Sequence, residues 1–143
     1  MKPKMTLLAL VIGSAVVSGK AQTLQSAISK TENERYEEAA TEFKALTSKE
    51  PNNGEYWFYY GENYFKRAAL DNFTTTDVDS AKAMYQKGFE INATNPLPYV
   101  GLGKIALVRG DEKDANTQLF KASTLMDPKK PNPVHQLRLA EAY

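Results

Sequence analysis

The sequence predicts an all-α fold of stacked helix pairs, and three observations carry that prediction. Beyond residue 22 the apolar residues recur at spacings of three and four and do not alternate, so no stretch reads convincingly as a strand. Clusters of Pro, Asn and Gly interrupt this pattern at intervals. One short motif also returns in register along the chain. The length of 143 residues is that of one ordinary domain, and 42% apolar with 24% charged residues is a globular composition.

The first segment reads as an address. Met1 to Lys4 carry two lysines, Met5 to Val17 is uncharged and mostly apolar, and Ser18-Gly19-Lys20-Ala21 supplies small residues. This is the pattern of a secretory signal peptide. The apolar run, about 13 residues, is shorter than the roughly 20 that a bilayer-spanning helix needs. A cleavable leader over residues 1–21 is therefore expected, with an uncleaved membrane tether as the alternative. Removing it takes Lys2, Lys4 and Lys20, leaving 15 basic against 17 acidic residues. The Ala21-Gln22 junction resembles known signal-peptide ends, which makes an exported, periplasmic protein the expectation.

Seven helical patterns follow, over residues 22–143. Leu24, Ala27 and Ile28 begin the first, and Tyr36, Ala39, Ala40, Phe43 and Leu46 form the second. Glu50 to Gly54 is a clear break. Trp57, Tyr60, Gly61, Tyr64, Phe65 and Ala68 then share one side of a third helix, and Ala81, Met84, Tyr85, Gly88, Phe89 and Ile91 make a fourth. Asn95-Pro96 opens a fifth, carrying Tyr99, Leu102, Gly103, Ala106 and Leu107. Gly110-Asp111 turns into a sixth with Ala115, Leu119, Ala122 and Leu125. After a break from Asp127 to Pro133, Leu137, Leu139, Ala140 and Tyr143 start a seventh, with no partner helix in the sequence to follow it.

The self-similarity is more specific than the periodicity. Trp57-x-x-Tyr60-Gly61-x-x-Tyr64 matches Tyr99-x-x-Leu102-Gly103-x-x-Ala106 and then Leu139-Ala140-x-x-Tyr143. The later halves match through Ala39, Ala81 and Ala115 and, four residues on, Phe43, Tyr85 and Leu119. These residues resemble the tetratricopeptide repeat, a helix–turn–helix unit with a 34-residue period. The resemblance implies a right-handed α-α superhelix, a solenoid of pairs over about 22–53, 54–95 and 96–129, with a partial repeat at 133–143. Ala39 to Ala81 is 42 residues and Ala81 to Ala115 is 34, so the middle repeat carries about eight extra, expected as a polar loop near 70–80. Gly61, Gly103, Ala27 and Ala140 fall where paired helices approach, and Trp57, Tyr60, Tyr99 and Leu102 are expected to fill the space between pairs.

Composition excludes several functions. There is no cysteine, so disulfides, Cys-ligated zinc and thiol chemistry are out, and His135 is the one histidine. A net charge of +1 gives no basic surplus for a nucleic acid. No Gly-rich phosphate loop, nucleophile elbow or HExxH sequence occurs. Asp71, Asp77 and Asp79 lack the Gly and closing Glu of an EF-hand loop. The expected protein is not an enzyme, holds no cofactor or metal, and mediates contact with a protein or peptide.

The resemblance also implies where a partner would bind, along a concave groove lined by the first helix of each pair. Leu24, Ile28, Glu55, Phe58, Glu62, Phe65, Lys66, Leu97, Val100, Lys104, Leu107, Val108 and Leu137 map there. Phe58, Glu62, Phe65, Lys66, Val100, Lys104 and Leu107 are the candidate binding residues. Phe58 and Val100 stand where a terminal-carboxylate clamp needs Lys, and Glu62 and Lys104 where it needs Asn, so that clamp is rejected. The remaining lining is mainly apolar and aromatic and suits a peptide or an amphipathic helix. Two alternatives stay open: glycan binding on Trp57, Tyr59, Tyr60 and Tyr64, and a subunit role in a larger envelope complex.

Overall fold

A computed structural model describes residues 23–73 and 75–143. Among them lie seven helices and no strand: α1 Leu24–Glu32, α2 Tyr36–Lys49, α3 Gly54–Leu70, α4 Thr75–Ile91, α5 Pro96–Val108, α6 Glu112–Leu125 and α7 Pro133–Ala140. None is long and apolar enough to cross a membrane.

The breaks in the sequence become caps. Asn53, Asn95 and Asn132 precede α3, α5 and α7, and each side-chain carbonyl accepts the amide hydrogen two residues on, at 3.2, 3.0 and 3.0 Å. The Thr23 hydroxyl and the Asp111 carboxylate cap α1 and α6 by accepting from the amide three residues on. Proline occupies the first position of α5 and α7, where its missing N–H has no intrahelical partner to lose. Gly110, at φ +74°, makes the left-handed residue that lets α5 reverse into α6.

Each helix packs on the next in the chain, α1 on α2 through α6 on α7. The odd-numbered helices also touch one another in sequence, α1 with α3, α3 with α5 and α5 with α7, whereas α2, α4 and α6 do not meet. Crowding on one side and separation on the other is curvature: the first helices form the inner, concave row of an α-α solenoid.

The core repeats one arrangement. A large residue from each second helix is buried between the first helix of its own pair and that of the next. Phe43 of α2 is fully buried beside Ala27 and stacks on Tyr60 of α3 at 5.6 Å. Tyr85 of α4 lies between Gly61 of α3 and Gly101 of α5: a Cβ at either glycine would stand 2.5 or 2.4 Å from its ring. Leu119 of α6 faces Gly103, where a Cβ would meet its side chain at 2.7 Å, and clusters with Leu139 and Ala142 at the end of α7. Ala39, Ala81 and Ala115 are buried at the reciprocal contact. Trp57, Tyr60, Tyr99 and Leu102 are only half-buried, so the space between pairs is filled chiefly by the second-helix residue.

The extra residues of the middle repeat do not form a polar loop. Helices α3 and α4 are each 17 residues long, against 13 for α5 and 14 for α6, so that α3 ends at Leu70 and α4 begins at Thr75. The lengthened ends are tied by a bidentate pair, Arg67 with Asp77 at 2.8 and 2.5 Å, and by Phe65 on Phe73 at 5.3 Å. Phe73 adopts φ +57°, a left-handed conformation costly for an aromatic residue, which its ring contact helps to offset.

Gly101→Ala therefore lowers stability even though alanine is the better helix former, because the pinned Tyr85 ring cannot swing away. The expected cost is about 1–3 kcal/mol, read by thermal denaturation as a melting temperature lower by roughly 4 °C or more. In a Tyr85→Leu background the added cost of Gly101→Ala should be smaller, because the clashing ring is gone; an unchanged melting temperature for the single variant would contradict the packing.

Candidate functional site

The inner row is formed by α1, α3, α5 and α7, and the candidate residues on it divide into two layers. Phe58 and Val100 have 0% and 1% of their surface exposed. The Phe58 ring is wedged against Tyr59 and Tyr85 at 5.1 and 5.7 Å, and Val100 packs with Leu119. Both belong to the core beneath the groove, a correction to their expected place on its lining. Phe65, Lys66 and Lys104 are half-buried, and Leu107 is 44% exposed. These four reach the surface together with Leu137 of α7, 56% exposed.

Glu62 connects the layers. It is 3% exposed, yet its carboxylate is fully engaged: Tyr85 Oη donates to Oε1 at 2.6 Å, and Lys104 Nζ donates to Oε1 and Oε2 at 2.8 and 2.9 Å. A buried carboxylate without such partners would be strongly destabilising. The same Lys104 ammonium stands 4.5 Å from the centroid of the Phe65 ring. Tyr85, Glu62, Lys104 and Phe65 thus form one chain of contacts from the core to the groove surface. Burial, and then the Glu62 charge, push the Tyr85 hydroxyl well above the ordinary phenol value.

A second contact spans the groove. The Arg138 guanidinium from α7 sits 5.6 Å over the ring of Tyr59 on α3 and pairs with Glu141 at 2.8 Å. Burial disfavours its charge, but the hydrogen bond and charge of Glu141, with the Glu62 charge, more than offset this and raise its pKa. Between Arg138, Tyr59, Glu62 and Lys66 on one side and Ile28, Thr31 and Glu32 of α1 on the other remains a cavity of about 10 Å³. That is room for about one water, so the groove is closed at this crossing. Beside it Asn63 ties three helices together, donating to the Tyr36 carbonyl at 3.1 Å and accepting from the Thr31 hydroxyl at 2.8 Å.

Tyr85 is visible in the sequence as the repeat equivalent of Phe43 and Leu119, whereas the parts played by Gly101, Asn63 and Arg138 emerge only from the structure. A register signal exists for two of them: Tyr59, Gly101 and Arg138 each lie two residues before the small residue of their repeat, Gly61, Gly103 and Ala140. His135 is half-buried in α7, where burial lowers its pKa. Asp77 and Asp79 are engaged by Arg67 and Arg109, and no group of three metal-ligating side chains occurs among the described residues.

Solved structures share this fold. The Yersinia enterocolitica type III secretion translocator chaperone SycD superposes with a TM-score of 0.67 at 19% identity, covering 82% of this chain and 83% of that one. SycD in complex with a peptide of the translocator YopD gives 0.66 at 19% identity over 82% and 84%. PcrH in complex with the chaperone-binding region of PopD gives 0.63 at 17% identity over 82% and 80%. No protein-family profile matches the sequence, and no curated protein matches it. At these identities the likeness establishes the helical solenoid fold.

One expectation is corrected by these neighbours. They are chaperones of type III secretion, which conflicts with an exported, periplasmic chain, and that localisation does not stand. The leader pattern rests on lysines flanking a short apolar run, features that do not by themselves fix a destination. The expected leader at residues 1–21 and its alternative, an N-terminal tether, lie outside the described residues.

The Tyr85 contact has a pH signature. The folded chain holds a neutral phenol at pH values where the unfolded chain, with an ordinary phenol near 10, ionises. The stability that Tyr85 contributes is complete below pH 10 and is lost as pH rises above it. Tyr85→Phe, by removing a hydrogen bond to a carboxylate, costs about 1.5–3 kcal/mol at pH 7. Its stability then falls less steeply than wild type between pH 9 and 11, measured by urea denaturation; parallel declines would refute the assignment.

Proposed function

We propose that the chain is a non-catalytic scaffold that binds an extended peptide of a partner protein along its concave face. The observation carrying this reading is the inner row itself: Leu107 and Leu137 stand exposed on α5 and α7, with Phe65, Lys66 and Lys104 beside them. An apolar strip edged by amines suits a mainly apolar segment with an acidic residue within reach of Lys66. Two of the structures that share the fold are complexes with a translocator peptide or a chaperone-binding region, which supports a peptide ligand. Those neighbours are chaperones, which supports a binding role rather than a catalytic one.

The closed crossing under Arg138 sets the path. A peptide runs over Phe65 and Leu107, and it enters the α1–α3–α7 corner only if Arg138 leaves the Tyr59 ring. Sugar stacking is less well supported, because three of the four rings have a face taken: Tyr60 stacks on Phe43 and Tyr64, and Tyr59 lies under Arg138.

Photo-crosslinking tests the reading. With benzoylphenylalanine in place of Leu107 or Leu137, one partner segment is expected to be captured in cells from both positions. Phe120, 68% exposed on α6 of the outer row, should not capture it. Leu107→Asp should reduce capture from Leu137 at least tenfold while the melting temperature stays within about 2 °C, as for an ordinary surface substitution. Phe58→Ser is unsuitable as a control because that ring is core. Equal capture from Phe120, or undiminished capture by the aspartate variant, would overturn the proposal.

A further inference from the structure

The outer side of the solenoid carries two equivalent troughs, related by a shift of 42 residues, the distance from Ala39 to Ala81. The first lies between α2 and α4 over α3, and the second between α4 and α6 over α5. Both are crossed near one end by the same ion pair: Arg67 with Glu37 in the first, and Arg109 with Asp79 in the second.

The first trough is filled from within. Tyr60 stacks on Phe43 at 5.6 Å, Tyr64 stacks on Tyr60 at 5.2 Å, and the Arg67 guanidinium caps Tyr64 at 5.2 Å. In the second trough the two middle rungs are missing. Leu102 replaces Tyr60 and Ala106 replaces Tyr64, while Tyr85 and Arg109 keep the ends. What remains is an open cleft of about 460 Å³, floored by Leu102, Ile105 and Ala106 and walled by Lys82, Gln86, Arg109 and the α6 residues Asp111, Asp114 and Gln118.

We infer that this second trough is a docking site for an aromatic side chain of a partner polypeptide, which completes the ladder that the chain builds for itself one repeat earlier. The ring would lie on Leu102 and Ala106 with its outer face toward Arg109. Charge further defines the partner. Asp111 and Asp114 form no ion pair among the described residues; Asp111 caps α6, and Asp114 accepts only from the Gln118 amide at 2.9 Å besides. A lysine or arginine next to the aromatic residue would meet this acidic wall. The site is on the face opposite the concave groove and stands independently of the function proposed above.

The test is an amide chemical-shift titration of the full chain with acetyl-Tyr-Lys-amide, with acetyl-Ala-Lys-amide as control. Shifts are expected to gather on Lys82, Gln86, Ala106, Asp114 and Gln118, with the alanine probe silent at the same concentration. Ala106→Tyr rebuilds a rung from within and should abolish them. Asp114→Lys, on an exposed position, keeps the test decisive if that variant does not fold. It should weaken the tyrosine–lysine probe at least threefold and leave acetyl-Tyr-amide unaffected. Shifts that the alanine probe reproduces, that centre on the concave face, or that survive the folded variants would overturn the inference.

Discussion

The Tyr85 ring is held between two glycine backbones, and this grip fixes the spacing of three helices at once. Gly61 and Gly101 approach it so closely that neither position has room for a methyl group. In return α3, α4 and α5 share one fully buried aromatic side chain, whose burial stabilises by roughly 1.5–3 kcal/mol. The neighbouring repeats solve the same problem with different sizes. Phe43 meets a tyrosine ring in the cluster that also holds Ala27, and Leu119 meets Gly103. The largest of the three residues sits in the middle of the stack, where it is enclosed by two glycine-bearing first helices, α3 and α5.

That grip also explains the buried charge. Enclosing a tyrosine leaves its hydroxyl in need of a partner, since an unpaired buried donor costs free energy. Glu62 supplies one and thereby needs a counter-charge of its own, which Lys104 provides from the next repeat. Glu62 and Lys104 are 42 residues apart and so occupy the same register on α3 and α5. Equivalent positions on neighbouring first helices face each other along the concave row, and like charges there would repel in a poorly solvated setting. Opposite signs satisfy both the core and the groove. The groove's chemistry is therefore partly dictated by the packing beneath it: Lys104 lies over Phe65 because Glu62 holds it there.

The helices, their breaks and the solenoid were legible because each leaves a local mark. Asn-Pro at the start of α5, Gly110 after it and the spacing of Ala39, Ala81 and Ala115 act within a few residues of where they are read. The depth of a residue on a helix is less local. Phe58 and Val100 lie on first helices, as the register implies, but the large residues of α4 and α6, Tyr85 and Leu119, pack against them and bury them. The added length of the middle repeat went into α3 and α4 because Arg67–Asp77 and Phe65–Phe73 stabilise the extended ends. Periodicity has no information about such long-range pairs. Arg138 is the clearest case: its register places it in the same column as Tyr59, but nothing local says that the two side chains meet across the groove.

The two faces of the solenoid follow from which columns of the repeat are constrained. The column that faces the buried second-helix residue stays small, as Gly61, Gly103 and Ala140, or the paired helices separate. Columns that face outward or inward need only avoid an unsatisfied buried group, so they vary: Tyr60 becomes Leu102, Tyr64 becomes Ala106, Asn63 becomes Ile105. Where a large residue is lost from such a column, the surrounding walls do not close, because the glycine and alanine contacts below still set the helix spacing. A rigid stack with one column emptied necessarily presents a cleft. The same physics that makes the repeats alike in their core thus leaves their surfaces free to differ, and those differences are where this chain has room to recognise something other than itself.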